Sequence, residues 1–306
     1  MQTIHDLSRR WMAHAIKSRS SLVFQRCYMS SISVSRLHNK NGESGVVQMN
    51  LDKPVMGMEF WDEFHNVASA LARDPAARCI VLSGTSKAFS FGLDVKDAKQ
   101  VELLTSKDID PARKADTLRR FLLKLQSTFS LLESTPPVIA CVHSFCIGGA
   151  VDLICAADIR YCTKDTSFSI KEVDVGLAPD LGTLQRIERL VGSSSLVREL
   201  AFTGRQFGAT EALQCGFVSR VFETKDEMMA AALEIASIIA SKSPVAVNGI
   251  KQNLNFARGR PVETSLEYQA MWSAAALQSV DAEAGLRVAA NPKGAGKLHF
   301  KDLTKY

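Results

Sequence analysis

The chain has 306 residues, of which 46% are apolar and 23% charged, the composition of a globular protein with a sizeable core. Its seven cysteines include neither a Cys-x-x-Cys pair nor a Cys/His ligand spacing, which argues against a metal site of the zinc type and for reduced thiols. No apolar run is long enough to span a bilayer, so membrane insertion is not expected.

The formal net charge of +5 originates in the first 42 residues, which contain seven basic residues and a single acid. The rest of the chain is close to neutral, so the basic balance does not indicate a nucleic-acid partner. The segment is rich in Arg and Ser, and Leu7, Trp11 and Ala15 recur at helical spacing, as in mitochondrial presequences. We predict a presequence over residues 1–40, removed in the mature protein, with a plain basic tail as the alternative.

A presequence of this kind implies the mitochondrial matrix as the location of the mature protein. The last residues, Thr304-Lys305-Tyr306, differ from a peroxisomal signal of the SKL type. A peroxisomal location is therefore the second choice.

Downstream of Ser44, short apolar runs bounded by turn residues alternate with segments of helical periodicity. Strands that alternate with helices indicate βαβ units and a mostly parallel sheet, and hence an α/β fold. The predicted strands lie at 45–51, 78–84 and 138–142, and the first predicted helices at 58–72, 111–133 and 150–157.

The second half of the chain is predicted to be mainly helical. Ser243-Pro244 has the form of an N-cap followed by proline at the first helical position. We expect one core over 44–242 and a C-terminal helical region over 243–306. The helices of this half are predicted at 193–203, 209–215, 225–241 and 246–257, and an amphipathic helical region at 261–290.

The stretch 137–186 holds the chemistry that the sequence offers. A buried strand is followed by the pair Gly148-Gly149 and then by an apolar helix. A glycine-rich turn that begins a helix leaves main-chain N–H groups free to stabilise an anionic oxygen.

Three acids accompany this turn. Asp152 lies inside the apolar helix, Glu172 follows a short predicted strand, and Asp180 lies in a Gly/Pro-rich loop. A buried carboxylate is unfavourable unless it is paired, and burial raises its pKa. Asp152 is therefore either a functional acid or a group that bonds a neighbouring main-chain amide, and its spacing does not decide between the two.

The sequence resembles the crotonase (enoyl-CoA hydratase/isomerase) superfamily, and its three acids are most similar to those of the dienoyl-CoA isomerases within it. The resemblance implies a crotonase-like ββα superhelix core with a C-terminal helical oligomerisation region, a trimer or hexamer, and an acyl-CoA thioester as substrate. It also implies no cofactor, since coenzyme A is part of the substrate. The segments that support it are CIGGAVDL (146–153), DIRYC (158–162), KEVDVGLAPDLGTLQR (171–186) and ELAFTGR (199–205).

The resemblance assigns roles to individual residues. The segment KAFSFGLDVKD (87–97) is similar to the loop that supplies one oxyanion-hole N–H, which places that donor on Leu93, and the second donor is Gly149. In an isomerase that moves a proton from C2 to C6 of a 3,5-dienoyl-CoA during fatty acid beta-oxidation, Glu172 is expected to serve C2 and Asp180 to serve C6. Asp152 would then orient Glu172.

The sequence departs from the family pattern at two places. Phe91 replaces a residue that is usually small, which narrows the predicted path of the substrate. The loop at 51–61 is about four residues shorter than the family's usual nucleotide-binding loop. Lys53 and Lys251 are then the candidates for contact with the CoA phosphates, the latter in a neighbouring subunit, although a solvated surface lysine is the simpler interpretation of Lys53.

Two other functions remain open from the sequence. A 2-enoyl-CoA hydratase would use Asp152 and Glu172 to add water across one double bond. A non-catalytic crotonase-like protein would account for the short loop and for Phe91. The near-neutral core and the complete set of acids favour the isomerase.

Overall fold

The computed structural model describes residues 25–28, 30–39, 42–105, 110–292 and 298–304. Most of the predicted presequence lies outside these residues.

A mixed sheet of seven strands forms the centre of the fold, in the order β1-β2-β3-β4-β5-β7-β10. The first two pairings are antiparallel and the remaining four are parallel, as the alternation of strands and helices predicted. The strands are β1 Gln25–Tyr28, β2 Ile32–Asn39, β3 Gly42–Leu51, β4 Cys79–Gly84, β5 Val138–Val142, β7 Ile159–Thr163 and β10 Arg220–Phe222.

A second sheet has three strands. It is formed by β6 Phe145–Ile147, β8 Ser167–Ser169 and β9 Phe207–Gly208, with β6 and β8 parallel.

The helices agree closely with the predicted positions. The first begins and ends at the predicted residues, whereas the predicted helix 111–133 ends in a turn of 3₁₀-helix over 131–133. The helices are α1 Met58–Ala72, α2 Ala98–Thr105, α3 Pro111–Ser130, α4 Gly149–Cys155, α5 Thr183–Arg186, α6 Ser194–Thr203, α7 Ala209–Gln214, α8 Lys225–Ala240, α9 Pro244–Phe256, α10 Val262–Ala276 and α11 Val280–Ala290.

The large sheet is buried on both faces, which explains the continuous apolar runs of its parallel strands. Along β4, Ile80 and Leu82 face the larger core formed with α1, α3 and α4, while Cys79 and Val81 face α8. Five of the cysteines lie buried in these two cores. They are Cys79, Cys141, Cys146, Cys155 and Cys162.

The folded part of the chain begins earlier than the predicted boundary at Ser44. Strand β2 pairs with β3 along most of its length, and its Ile32 and Val34 belong to the main core. At its start, the Ser30 and Ser31 main-chain amides donate to the Glu63 carboxylate at 2.9 and 2.8 Å. The described fold therefore starts at or before β2, upstream of the predicted start at Ser44, and a presequence that extended to residue 40 would include this core strand.

The C-terminal helices form a layer outside this core. Trp272 of α10 packs so closely on Gly249 of α9 that a Cβ at residue 249 would collide with the indole. Phe256 and Tyr268 stack with their ring centroids 3.9 Å apart. Ser243 caps α9 as predicted, and its hydroxyl accepts a hydrogen bond from the Ala246 main-chain amide.

Although α10 and α11 contain no buried residue, they carry several exposed apolar side chains. Among the helices of the described ranges, none alone is long and apolar enough to cross a bilayer. Helices α8 and α9 reach that length and hydropathy only as a pair, bent by 108° at the break between them.

Candidate active site

The loop between β4 and α2 lies across the start of the small sheet. The Ser90 main-chain N–H donates to Phe145 O, and the Ile147 N–H donates back to Ser90 O, both at 3.0 Å. On the other side of the loop, the Met56 N–H donates to Gly92 O at 2.8 Å. These bonds place Gly92, and with it Leu93, beside the pair Gly148-Gly149, of which Gly149 begins α4.

Gly92 allows the two segments to approach each other. Its φ is +76°, a conformation that favours glycine. A Cβ at this position would lie 2.9 Å from the Gly149 nitrogen and 2.7 Å from Ile147 O, closer than real Cβ atoms come. Residue 92 must therefore be glycine for the N–H of Gly149 to remain accessible.

The main-chain N–H groups of Leu93 and Gly149 form no hydrogen bond to an acceptor among the described residues. Gly149 is the first residue of α4, where helix geometry leaves the amides without an intrahelical partner. The structure thus places Gly92, the neighbour of Leu93, beside Gly149, more than fifty residues away in the sequence. That the two N–H groups act as oxyanion donors stays a prediction.

Asp152 is buried in α4, with 1% of its surface exposed. Its Oδ1 accepts a hydrogen bond of 2.6 Å from the Thr183 main-chain amide, at the start of α5. Burial raises the pKa of Asp152 to about 6, and the bond to Thr183 opposes that rise. Asp152 therefore does bond a neighbouring main-chain amide, one of the two interpretations that its sequence allowed.

Glu172 lies at the start of a 3₁₀ turn, 172–175, that follows β8. Its Oε1 is directed toward Gly148, 3.2 Å from where a Cβ would stand there. Its Oε2 is buried without a hydrogen-bond partner among the described residues. Burial, followed by the negative charge of Asp152, raises the pKa of Glu172 to about 7. A carboxylate with one free oxygen and this pKa is suited to accept a proton near neutral pH.

Asp180 occupies an exposed loop just before α5. Its main-chain carbonyl accepts a hydrogen bond of 2.7 Å from Nε2 of Gln126, which lies on α3. Protein atoms around the carboxyl raise the pKa of Asp180 by desolvation. Its charge in turn raises the pKa of Asp152 and Glu172, so the three acids form one electrostatically coupled group.

Two of the predicted substrate contacts, Phe91 and Lys53, lie at the surface of the protein. Phe91 is exposed and stacks on Phe145 of β6, with ring centroids 5.6 Å apart. Lys53 is half-exposed, and its Nζ lies 3.9 Å from a carboxylate oxygen of Glu59. Neither residue touches the three acids in the contacts that the structure gives.

Lys251 has a structural role in this structure, and its predicted contact with a CoA phosphate is corrected. The side chain is 4% exposed, and Nζ donates to Leu132 O at 2.6 Å, to Pro136 O at 3.2 Å and to Asp158 Oδ2 at 2.7 Å. An ammonium group has three hydrogens, so these internal acceptors leave none for a phosphate.

Sequence reasoning missed the apolar contacts beside the two N–H donors. Met56 Sδ and Leu181 Cδ1 each lie 3.8 Å from where a Cβ on Gly149 would stand, and both residues are buried. Leu181 could have been predicted to lie at the site because it is adjacent to Asp180. No motif in the sequence around Met56 indicates that Met56 lies there. Among the described side chains, no three His, Cys, Asp or Glu groups converge in a way that could hold a metal ion.

The sequence profile of the enoyl-CoA hydratase/isomerase family matches residues 41–292. The chain belongs to the enoyl-CoA hydratase/isomerase family. The chain is 40% identical to the protein named mitochondrial Delta(3,5)-Delta(2,4)-dienoyl-CoA isomerase of Mus musculus, over 99% of this chain and 95% of the relative. It is also 40% identical to the protein of that name from Arabidopsis thaliana, described as peroxisomal, over 83% of this chain and 92% of the relative.

Solved structures of this family show the same fold. An enoyl-CoA hydratase from Geobacillus kaustophilus superimposes with a TM-score of 0.76 over 92% of this chain and 100% of its own, at 22% identity. A protein from Streptomyces coelicolor gives a TM-score of 0.75 over 94% of this chain and 97% of its own, at 23% identity. At these identities the likeness concerns the fold, and it confirms the predicted crotonase-like core with a helical C-terminal region.

Proposed function

We propose that the protein is an isomerase that converts 3,5-dienoyl-CoA to 2,4-dienoyl-CoA. The observation that supports this function above the alternatives is the third acid, Asp180, which is electrostatically coupled to Asp152 and Glu172 beside two free N–H groups. Relatives about 40% identical over most of their length have names that state this activity.

The reaction begins with the thioester carbonyl between the amides of Leu93 and Gly149. Removal of a proton from C2 leaves an enolate that is conjugated through C6. Two fixed N–H dipoles stabilise the oxygen of this enolate, and removing one such donor typically costs about 10²–10³ in kcat.

Glu172 takes the C2 proton through its free oxygen, and Asp180 delivers a proton to C6. The C2–H bond breaks, and its electron pair forms the C2=C3 double bond. The C3=C4 pair moves to C4=C5, and the C5=C6 pair forms the new C6–H bond with the proton from Asp180. Asp152 does not touch the substrate in this scheme. It holds the start of α5 and its charge keeps the pKa of Glu172 high.

The direct test follows the ultraviolet absorbance of the 2,4-dienoyl product while purified protein, without its leader, acts on 3,5-dienoyl-CoA. Wild type is expected to form the product without a metal or added cofactor, and Glu172→Gln is expected to form none. Absence of product with wild-type protein would overturn the proposed function.

The main alternative is a 2-enoyl-CoA hydratase. It is favoured by one relative named short-chain-enoyl-CoA hydratase, from Clostridium acetobutylicum, which is 32% identical over 75% of this chain. Water addition to a 2-enoyl-CoA at a rate above that of isomerisation would establish this alternative.

We also propose that the substrate's coenzyme A part lies on the outer side of the oxyanion hole, near Phe91 and Lys53. Lys53 is half-exposed, although Glu59 competes for its charge. Because the short loop at 51–61 offers few other contacts, binding of the CoA part is expected to be weak. Calorimetry with an unreactive CoA thioester measures this affinity, and no binding at high concentration would favour a non-catalytic protein.

The protein is proposed to act in fatty acid beta-oxidation in the mitochondrial matrix, on the strength of its Arg- and Ser-rich leader. Its relatives are named mitochondrial in the mouse and peroxisomal in Arabidopsis thaliana, so a reporter fused to the leader must discriminate between the two compartments. The exposed apolar side chains of α10 and α11 support self-association as a trimer or hexamer. Sedimentation equilibrium would contradict this if it gave a monomer.

A further inference from the structure

The side-chain carboxyl of Asp180 is positioned mainly by the main chain of its own residue. Its residue lies between Gly176 and Gly182, which have φ of +76° and +123°, in a segment without helix or strand. The hydrogen bond that lowers the pKa of this carboxyl comes from its own main-chain amide. The position of the carboxyl is therefore determined by where the main chain of the loop is held.

That main chain is held from α3. Gln126 Nε2 donates to Asp180 O at 2.7 Å. Two residues further along the loop, the guanidinium of Arg186 lies against Gly182 and leaves no room for a side chain there. Arg186 in turn donates to Glu133 Oε1 and to Ser130 Oγ, each at 2.9 Å.

The three groups on the α3 side form one polar stripe. Gln126, Ser130 and Glu133 are spaced four and three residues apart, so they lie on one face of the helix and its 3₁₀ extension. Each follows by one position a residue that is buried in the main core, namely Leu125, Phe129 and Leu132. The polar stripe is therefore attached directly to the main core.

We infer that Gln126 is a positioning residue for proton transfer at C6, through the hydrogen bond that it donates to the main chain of Asp180. This inference rests on the proposed isomerase function and goes beyond it, because it assigns a role to a residue that touches neither substrate nor carboxyl. It separates the two ends of the reaction, since Glu172 lies in the 3₁₀ turn at 172–175 and is not held by α3 in the contacts that the structure gives.

The test substitutes Gln126→Met, which keeps the length of the side chain and removes the donor. The kcat of this variant for isomerisation is expected to fall by at least about 10-fold. A misplacement of about 1 Å can cost about 10²-fold, which sets the upper end of the expected loss. KM for 3,5-dienoyl-CoA should be unchanged. Exchange of the C2 proton in deuterated water should continue at the wild-type rate, because Glu172 is undisturbed.

Two further variants make the result specific. Gln126→Glu keeps the shape but replaces the donor by an acceptor, so it should show the same loss at C6. Gln278→Met is the matched control, since Gln278 lies in the turn after α10 and its Nε2 donates at 3.0 Å to the main-chain carbonyl of Ala274 on that outer helix. It should leave both rates unchanged.

Wild-type kcat in both Gln126 variants would overturn the inference while the proposed function stands. A parallel loss of C2 exchange would also overturn it, because Gln126 would then support the whole site rather than one end. A wild-type protein that forms no product overturns the proposed function and this inference together. Circular dichroism of each variant identifies a loss that is due only to unfolding.

Discussion

At the scale of single residues, the free oxygen of Glu172 is the feature that most needs explanation. A buried acceptor without a partner typically costs about 1–3 kcal/mol. Glu172 Oε2 is in this state among the described residues, although its other oxygen is directed toward Gly148. The cost is understandable if the missing partner is the C2–H of the substrate.

The coupled acids predict how the rate depends on pH. Glu172 must be ionised to accept a proton, and its pKa is raised to about 7, first by burial and then by Asp152. The value of kcat/KM should therefore follow a bell-shaped pH profile: it rises as Glu172 ionises, with a midpoint at about 7, and falls as Asp180, the acid for C6, loses its proton. In Asp152→Asn the midpoint should move to lower pH, because a negative neighbour is lost while burial remains. A midpoint that stays in place or moves upward would contradict this electrostatic account.

Asp180 gives the prediction that separates an isomerase from a hydratase. Asp180→Asn keeps the size of the side chain and removes its exchangeable proton, so kcat should fall by the roughly 10²–10⁴-fold typical of a lost general acid. KM should change little, because ground-state binding is not affected. C2 exchange in deuterated water should persist. The matched control is Asp174→Asn, an exposed acid of the same segment that is paired with Lys171.

If Asp180→Asn isomerised the substrate at the wild-type rate, Asp180 would not be the group that delivers the proton to C6, and the proposed mechanism would be wrong. A loss of equal size in Asp174→Asn would mean that the segment's overall charge, rather than the carboxyl of Asp180, is what matters.

At the scale of elements, the proposed oxyanion hole depends on the contact between the loop at 87–97 and the glycine pair at the start of α4. Gly92→Ala should move this loop away, since its new Cβ would lie within 3 Å of two main-chain atoms. Isomerisation should fall by about 10²-fold or more, comparable to the loss of one oxyanion donor. Gly176→Ala is the control, because Gly176 has the same φ of +76° but nothing within 4 Å. Gly176→Ala should introduce the same left-handed backbone strain, about 1–2 kcal/mol, but its new Cβ would not collide with any neighbouring atom.

Equal loss of activity in the two glycine variants, measured at equal folded fraction, would show that strain and not the collision is responsible.

Much of the element structure could be predicted because periodicity is a local property. Helix α1 and strand β5 were placed to the residue. Strand β2 was missed, although Ile32 and Val34 alternate with serines in the period of a strand, because the basic composition around it favoured a presequence. The 3₁₀ turn after α3 has no separate signal in a continuous apolar stripe.

Candidate residues for the site could be named from the sequence, and their roles stay predictions, whereas the contacts between them could not be predicted. The acids and the two donors could be named from sequence motifs. That Asp152 bonds the Thr183 amide, that Gln126 holds Asp180, and that Lys251 is bound internally all depend on contacts between residues far apart in sequence. No local pattern carries that information.

At the scale of the whole molecule, the packing of β2 in the core predicts which N-terminal truncations fold. A protein that begins at Ser30 retains β2, whereas one that begins at residue 41 loses Ile32 and Val34 from the core. Burial of each such side chain contributes roughly 1.5–3 kcal/mol. Since total stability is typically about 5–15 kcal/mol, the shorter protein should unfold at a much lower temperature or fail to fold. Thermal unfolding of both proteins measures this, and equal melting temperatures would mean that β2 is dispensable.

The five buried cysteines give the molecule a chemical reporter of its own opening. Burial raises the pKa of Cys79, Cys155 and Cys162 to about 12, and only thiolates react readily with disulfide reagents. In the native state these thiols are both shielded and protonated, while Cys215 is partly accessible. The rate at which a disulfide reagent labels the buried cysteines would therefore report how often the sheet separates from its helices. No engineered probe is needed for this measurement.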